Sequence, residues 1–157
     1  MDKKYERIVY GATGFTGQIC CKYLRDNYSD LAWAMAGRNQ DKLEQLKSNF
    51  NLDCDVVVAD GADLQALRSL ASQAKGVLST AGPFARYGSL LVQACVEEGA
   101  HYTDITGENH WVRGLIDKHH AEAASKGIRI IPSCGYDSIP SALGAFFTIS
   151  QFTTPVS

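Results

Sequence analysis

The chain of 157 residues predicts a doubly wound α/β fold: a six-stranded parallel sheet covered by helices on both faces, in three layers α/β/α. Three observations predict it. Short β-rich apolar runs alternate with helical patterns along almost the whole length. The segments between runs are long enough for right-handed crossovers between parallel strands. A glycine-rich turn follows the first run, where such a fold changes from strand to helix.

The elements follow in order. "RIVY" (7–10) predicts the first strand, with a helix from about Phe15 to Asn27 behind it. "LAWAMA" (31–36) precedes a helix over "NQDKLEQLKSNF", and "DVVVA" (55–59) precedes one over "ADLQALRSLASQA". "GVLST" (76–80) leads into "YGSLLVQACVEEG", "HYTD" (101–104) into a helix over roughly 108–126, and "GIRIIP" (127–132) supplies the sixth strand. The expected strand order is 3-2-1-4-5-6. The tail "SCGYDSIPSALGAFFTISQFTTPVS" admits two readings: a terminal helix packed back on this domain, or a connection toward a second one. The second is adopted, so residues 1–132 are expected to form the domain and 133–157 the connection.

Composition narrows the function. Hydrophobic residues make up 45% and charged residues 20%, as in an ordinary soluble globular protein, and a net charge of −2 offers no overall field for nucleic acid or anionic lipid. The five cysteines form no C-x-x-C pair, which argues for a reducing, cytoplasmic setting and against disulfides or structural zinc. No secretory signal or membrane-spanning stretch is expected. The four histidines make no H-E-x-x-H motif, so no metal is expected; His119 shares a helical stripe with Trp111 and Leu115 and reads as core or rim.

"GATGFTG" (11–17) carries the main functional signal. Backbone N–H groups at a helix start attract phosphate, and glycine lets a pyrophosphate approach closely. Gly11 is expected to make the tight turn, Gly14 to leave room for the pyrophosphate and Gly17 to permit close helix–sheet packing. Ala12 and Phe15 complete the loop, and Thr13 and Thr16 add hydroxyls. The absence of G-K-[ST] excludes a P-loop. NAD sites place a carboxylate after the second strand to hold the ribose 2′-OH. Here "MAGRN" offers none, and Arg38 and Lys42 supply cations for a 2′-phosphate, so NADP is favoured over NAD. Asp60 ends the third strand and reads equally as a contact to the adenine edge or, like Asp63, as a helix cap. Thr80, Ala81 and Gly82, small residues after the fourth strand, are expected to border the nicotinamide, with Pro83 stiffening the turn.

"YGATGFTG", "AGR", "STAGPFARYGSLLVQAC", "HYTDITGE" with a following tryptophan, and "CGYDSIPSALG" together resemble the saccharopine dehydrogenase-like oxidoreductases, which include trans-acting enoyl reductases. The resemblance runs from about residue 6 to 147. It implies a Rossmann domain binding NAD(P), hydride transfer to a small-molecule or lipid-type substrate, and a further substrate and dimerisation domain through which a homodimer would form.

A short-chain dehydrogenase would need a tyrosine with lysine four residues later, and none of the seven tyrosines has one. Tyr87, Asp104, Glu108, Tyr136 and Asp137 lie at or beyond the carboxyl ends of strands four to six and are expected to face substrate, although N-capping of the next helix by Thr106, with Glu108 in its first turn, is an equal reading. No catalytic acid or base is assigned. Cys134 has no adjacent histidine and reads as no nucleophile. Glu97 and Glu98 read as a solvated helix face. A non-catalytic NADP-binding module, a redox sensor or a partner-binding subunit, is the competing function.

Overall fold

The computed structural model describes residues 2–152; Met1 and residues 153–157, the outermost parts of the two expected segments, lie outside the described residues. Six strands alternate with helices: β1 (Tyr5–Tyr10), α1 (Phe15–Asn27), β2 (Trp33–Gly37), α2 (Gln40–Phe50), β3 (Asp55–Val58), α3 (Leu64–Ser72) and β4 (Ala74–Ser79). Then come α4 (Phe84–Tyr87), α5 (Ser89–Glu98), β5 (His101–Asp104), α6 (Asn109–Ser125), β6 (Ile130–Ile131) and α7 (Ile139–Ser150). All neighbouring strands pair in parallel, in the order β3-β2-β1-β4-β5-β6. The predicted architecture and strand order are therefore those observed.

Alternation along the strands builds two cores. Ile8, Tyr10, Ala34, Ala36, Val77 and Tyr102 face α3, α5 and α6, where Leu67, Leu70, Leu91, Val92 and Leu115 complete the larger core. Val9 and Met35 point the other way, onto Cys21 of α1 and Leu43 and Leu46 of α2. The period of two along each strand makes this division unavoidable once both faces are covered.

Local chemistry sets the boundaries. Asn39 caps α2 by accepting the Lys42 N–H at 2.9 Å, and Asn51 ends it in the left-handed region at φ 48. Asp63 caps α3 through the Gln65 and Ala66 N–H groups, at 2.9 and 3.1 Å. Gly99, at φ 67, turns the chain out of α5 into β5. Two elements differ from expectation. The helix expected over "YGSLLVQACVEEG" is α5, but a short α4, not expected, precedes it; at Gly88, between the two, the Trp111 indole leaves no room for a side chain, since a Cβ would stand 2.7 Å from the ring. The sixth strand shrinks to two residues, since β5 offers only Tyr102 and Thr103 for pairing and Pro132 has no N–H to extend the ladder.

The charge reading of α5 is also corrected. Glu97 and Glu98 are half-buried and clasp Arg68 of α3, at 3.2 and 2.7 Å, because the two helices pack side by side on one face. His119 is buried on the same stripe as Trp111, Leu115 and Ala123. By contrast, α7 buries none of its residues, and Leu143, Phe146, Phe147 and Ile149 stand exposed.

Candidate functional site: a dinucleotide crevice at the carboxyl edge of the sheet

The first βα turn is shaped by two glycines that no other residue replaces. Gly11 sits at φ +82, and a Cβ there would lie 2.9 Å from the Ala81 nitrogen. Gly17, in the first turn of α1, packs so closely that a Cβ would stand 2.3 Å from the Gly11 carbonyl oxygen and 2.7 Å from the Ala12 Cα. Gly14 is the N-cap residue, in extended conformation, with its own N–H bonded to the Gly11 oxygen at 3.0 Å. Gly14 offers no side chain to the first-turn N–H groups, and no acidic residue sits in that turn. Phe15 is 84% exposed beside them. The start of α1 is thus a positive helix end that no side chain caps, behind a glycine turn, the arrangement that accommodates phosphate.

The β4 turn lies directly beside this loop. The Thr80 N–H donates to the Tyr10 carbonyl at 2.9 Å, and its hydroxyl lies 3.2 Å from both the Tyr10 and the Gly11 carbonyl oxygens. Ala81 and Gly82 continue from that staple to a cis Gly82–Pro83 peptide. At the far end of the crevice, Arg38 and Lys42 follow β2, both exposed and, among the described residues, in no salt bridge.

One residue near that end escaped the sequence reading. Tyr10 ends β1 with its hydroxyl 2.9 Å from where a Gly61 Cβ would stand and 3.4 Å from the Ala59 carbonyl. Burial pushes its phenol pKa up, Asp60 adds to the rise and Arg38 opposes it, so the three groups share one neighbourhood. The signal available was a polar aromatic closing β1 directly after its apolar pair Ile8–Val9. Asp60 itself accepts the Ala62 N–H at 2.9 Å, while the cap of α3 is Asp63.

The five residues expected to face substrate separate. Tyr87 is 46% and Tyr136 91% exposed beyond β4 and β6, and the Asp137 carboxylate lies against Gly135 and Gly107. Asp104 does not face the crevice: it is 1% exposed. Its carboxylate accepts the Tyr102 hydroxyl at 2.8 Å and the Thr106 and Ser133 N–H groups, each at 3.0 Å. Desolvation first, then this carboxylate, pushes the Tyr102 phenol far above its ordinary range. Glu108 occupies the N-cap position of α6 without capping it through its side chain; its carboxylate reaches back to Phe84 and Ala85. Sequence spacing places both acids at the strand end, but only tertiary packing shows that Asp104 accepts from the Tyr102 hydroxyl and two backbone N–H groups, and Glu108 from two backbone N–H groups.

Thiols add no reactive group. Desolvation pushes Cys21 and Cys95 up to about 12 and Cys54 to about 11, and the Cys134 sulfur accepts the Thr103 hydroxyl at 3.0 Å. No group of three metal-ligating side chains comes together among the described residues. Two cavities lie away from the crevice: about 700 Å3 on the α1 side of β4–β6, walled by Ile19, Tyr23 and Leu78, and about 240 Å3 between α6 and β6.

With this geometry, a profile of the saccharopine dehydrogenase NADP binding domain matches residues 8–131. The chain belongs to that family. Its cofactor is NADP, and the residues present fit it: an uncapped helix start behind Gly11–Gly17, and cations rather than a carboxylate after β2. The trans-acting enoyl reductase of Mycobacterium leprae is 39% identical over 147 residues, covering 92% of this chain and 35% of that protein. A lipid droplet localized protein of Caenorhabditis elegans is 37% identical, covering 95% of this chain and 37% of its own length. Saccharopine dehydrogenase (L-Glu forming) of Saccharomyces cerevisiae superposes with a TM-score of 0.78 at 19% identity, over 94% of this chain and 31% of that one. This chain of the saccharopine dehydrogenase family therefore spans about a third of the length of the curated relatives it matches. No helix among its described residues is long and apolar enough to cross a membrane.

Proposed function

We propose that this domain holds NADP(H) for hydride transfer to a small-molecule or lipid-type substrate. Gly11 through Gly17 would bind the pyrophosphate, Arg38 and Lys42 the 2′-phosphate, Tyr10 and Asp60 would line the adenosine end, and Thr80, Ala81 and Gly82 would border the nicotinamide. The observation that carries the reading is the uncapped α1 N-terminus behind Gly11 and Gly17, set beside the Thr80 staple at the switch point between β1 and β4. The nicotinamide supplies the hydride when bound. The chain's own residues orient it and shield one side. The enoyl reductase relatives support an oxidoreductase, and their greater length supports a substrate-selecting portion, and a homodimer contact, outside residues 1–132. Residues 133–157 read as the connection toward it, in keeping with an α7 that buries nothing against the domain. The unpaired thiols among the described residues suit a reducing, cytoplasmic compartment.

A second reading, an NADP-binding module without catalysis of its own, is favoured by one observation: Asp104 and Glu108, both at the crevice end of the sheet, are committed to backbone N–H groups. Calorimetric titration with NADPH and NADH, on the chain and on Arg38→Ala, tests the cofactor assignment. A charge-assisted phosphate contact contributes about 1.5–3 kcal/mol, so NADPH should bind roughly 10- to 150-fold tighter than NADH, and Arg38→Ala should remove that advantage. Equal affinities for the two nucleotides in the unaltered chain refute the role of Arg38. Consumption of NADPH with a trial enoyl substrate separates the two functions.

A further inference from the structure

Glu108 starts two helices at once. Its backbone carbonyl accepts the Trp111 and Val112 N–H groups at 3.0 and 3.1 Å, opening α6. Its side chain leaves that helix and accepts the Phe84 N–H at 2.7 Å and the Ala85 N–H at 3.2 Å, at the start of α4. The residue preceding α4 is Pro83, which makes no side-chain cap bond, so the carboxylate supplies the acceptors that α4 otherwise lacks. A carboxylate is well matched to this position, because it has two oxygens for two N–H groups and its charge opposes the positive end of the helix.

The clamp has a rigid base. Glu108 donates its N–H to the Thr106 hydroxyl oxygen at 3.0 Å, Thr106 donates its N–H to Asp104 Oδ1 at 3.0 Å, and Asp104 is buried at the end of β5. The start of α4 and the start of α5 are also fixed to α6 through Trp111. Phe84 stacks on Trp111 with centroids 5.9 Å apart, and the indole N–H donates to Ser89 Oγ at 2.9 Å. On its opposite side, the turn is held to the glycine loop by Thr80. Ala81, Gly82 and Pro83 are thereby strung between two anchors, Thr80 against β1 and Glu108 beyond β5. These are the residues assigned to the nicotinamide border.

Resting on that assignment, we propose that Glu108 is a positioning residue: by holding the Phe84 and Ala85 N–H groups, it sets where the Ala81–Pro83 turn stands against the nicotinamide half of the cofactor. In this role it acts through those two N–H groups and the turn they hold, not through a bond to the cofactor. Its effect is therefore confined to one end of the dinucleotide, which a general loss of stability would not reproduce.

The test compares NADPH with 2′-phospho-ADP-ribose, which lacks the nicotinamide, by calorimetry on the whole chain, Glu108→Ala and Glu108→Gln, with folding checked by circular dichroism. Glu108→Ala should weaken NADPH at least tenfold and leave 2′-phospho-ADP-ribose within twofold. Glu108→Gln keeps the length and one acceptor oxygen, should fall between, and serves alone if the alanine variant does not fold. Unchanged NADPH affinity in the folded variants, or equal weakening of both ligands, overturns the proposal. An unaltered chain that binds neither ligand instead overturns the cofactor assignment itself, and this proposal with it.

Discussion

Gly17→Ala and Gly114→Ala make the same chemical change in two helices and should move stability in opposite directions. In a helix interior, alanine is favoured over glycine by about 0.8–1.0 kcal/mol, so propensity alone stabilises both variants. Gly114, exposed in α6, has nothing within 4 Å of an added Cβ, and that gain should appear nearly whole. At Gly17 the Cβ would stand 2.3 Å from the Gly11 carbonyl oxygen, against an ordinary separation of about 3.5 Å, an intrusion of roughly 1 Å. The obstacle is backbone and cannot rotate away, so the upper end of the usual overpacking cost, about 3 kcal/mol, applies. The net expectation is a loss of about 2 kcal/mol for Gly17→Ala and a gain of about 1 kcal/mol for Gly114→Ala. For a domain of this size that corresponds to a Tm lower by about 4–8 °C and higher by about 2–4 °C, respectively. Urea unfolding followed by circular dichroism measures both. A Gly17→Ala protein as stable as the original refutes the close approach of α1 to the glycine loop. Because the intrusion also displaces the first-turn N–H groups, the same variant should lose most of its NADPH affinity, whereas Gly114→Ala should bind normally.

Asp104→Ala should cost about 3–5 kcal/mol, since it strips acceptors from the Tyr102 hydroxyl and from the Thr106 and Ser133 N–H groups; Asp104→Asn, which retains an acceptor oxygen, should cost less than half of that. A loss below about 1 kcal/mol for the alanine variant in urea unfolding contradicts the buried network. His119 supplies a pH dependence. Desolvation first, then Lys118, holds its pKa below the ordinary value, with Glu122 and Glu97 opposing, and its Nε2 is buried with no hydrogen-bond partner among the described residues. Unfolding lets it take up a proton, so its contribution is complete above about pH 6.5 and is lost as the pH falls from there toward its folded-state pKa, at up to about 1.4 kcal/mol per pH unit. His119→Leu should flatten the stability profile between pH 7 and 5.5; equal slopes in the two proteins argue against a buried neutral imidazole.

Much of the fold could be read along the chain because its signals are local. The strand runs, the intervening helical periods and "GATGFTG" each depend on neighbours in sequence, and handedness then leaves few topologies for six alternating units. The cofactor loop shares that legibility in part: Gly17 meets Gly11 and Ala12 within six residues and the φ of +82 at Gly11 is local, whereas the Ala81 nitrogen that crowds Gly11 is brought there by the β1–β4 pairing. The short α4 was hidden, because its first N–H groups find their acceptors in the Glu108 carboxylate, 23 and 24 positions away. Tyr10 was hidden for a similar reason, since Asp60, Gly61 and Arg38 reach it only through the β1–β2–β3 pairing.

The acids show the division most plainly. By itself, the sequence determined that Asp104 stands at a strand end and Glu108 just beyond it, and that no lysine completes a tyrosine-based proton donor. Only the tertiary structure decided what the two carboxylates do. Asp104 ties the β5 and β6 exits together, and Glu108 crosses to α4, because each oxygen takes the donors that packing brings within 3.2 Å. Backbone conformation and apolar period are written into adjacent residues; the partner of a buried charge is whatever the folded chain places against it.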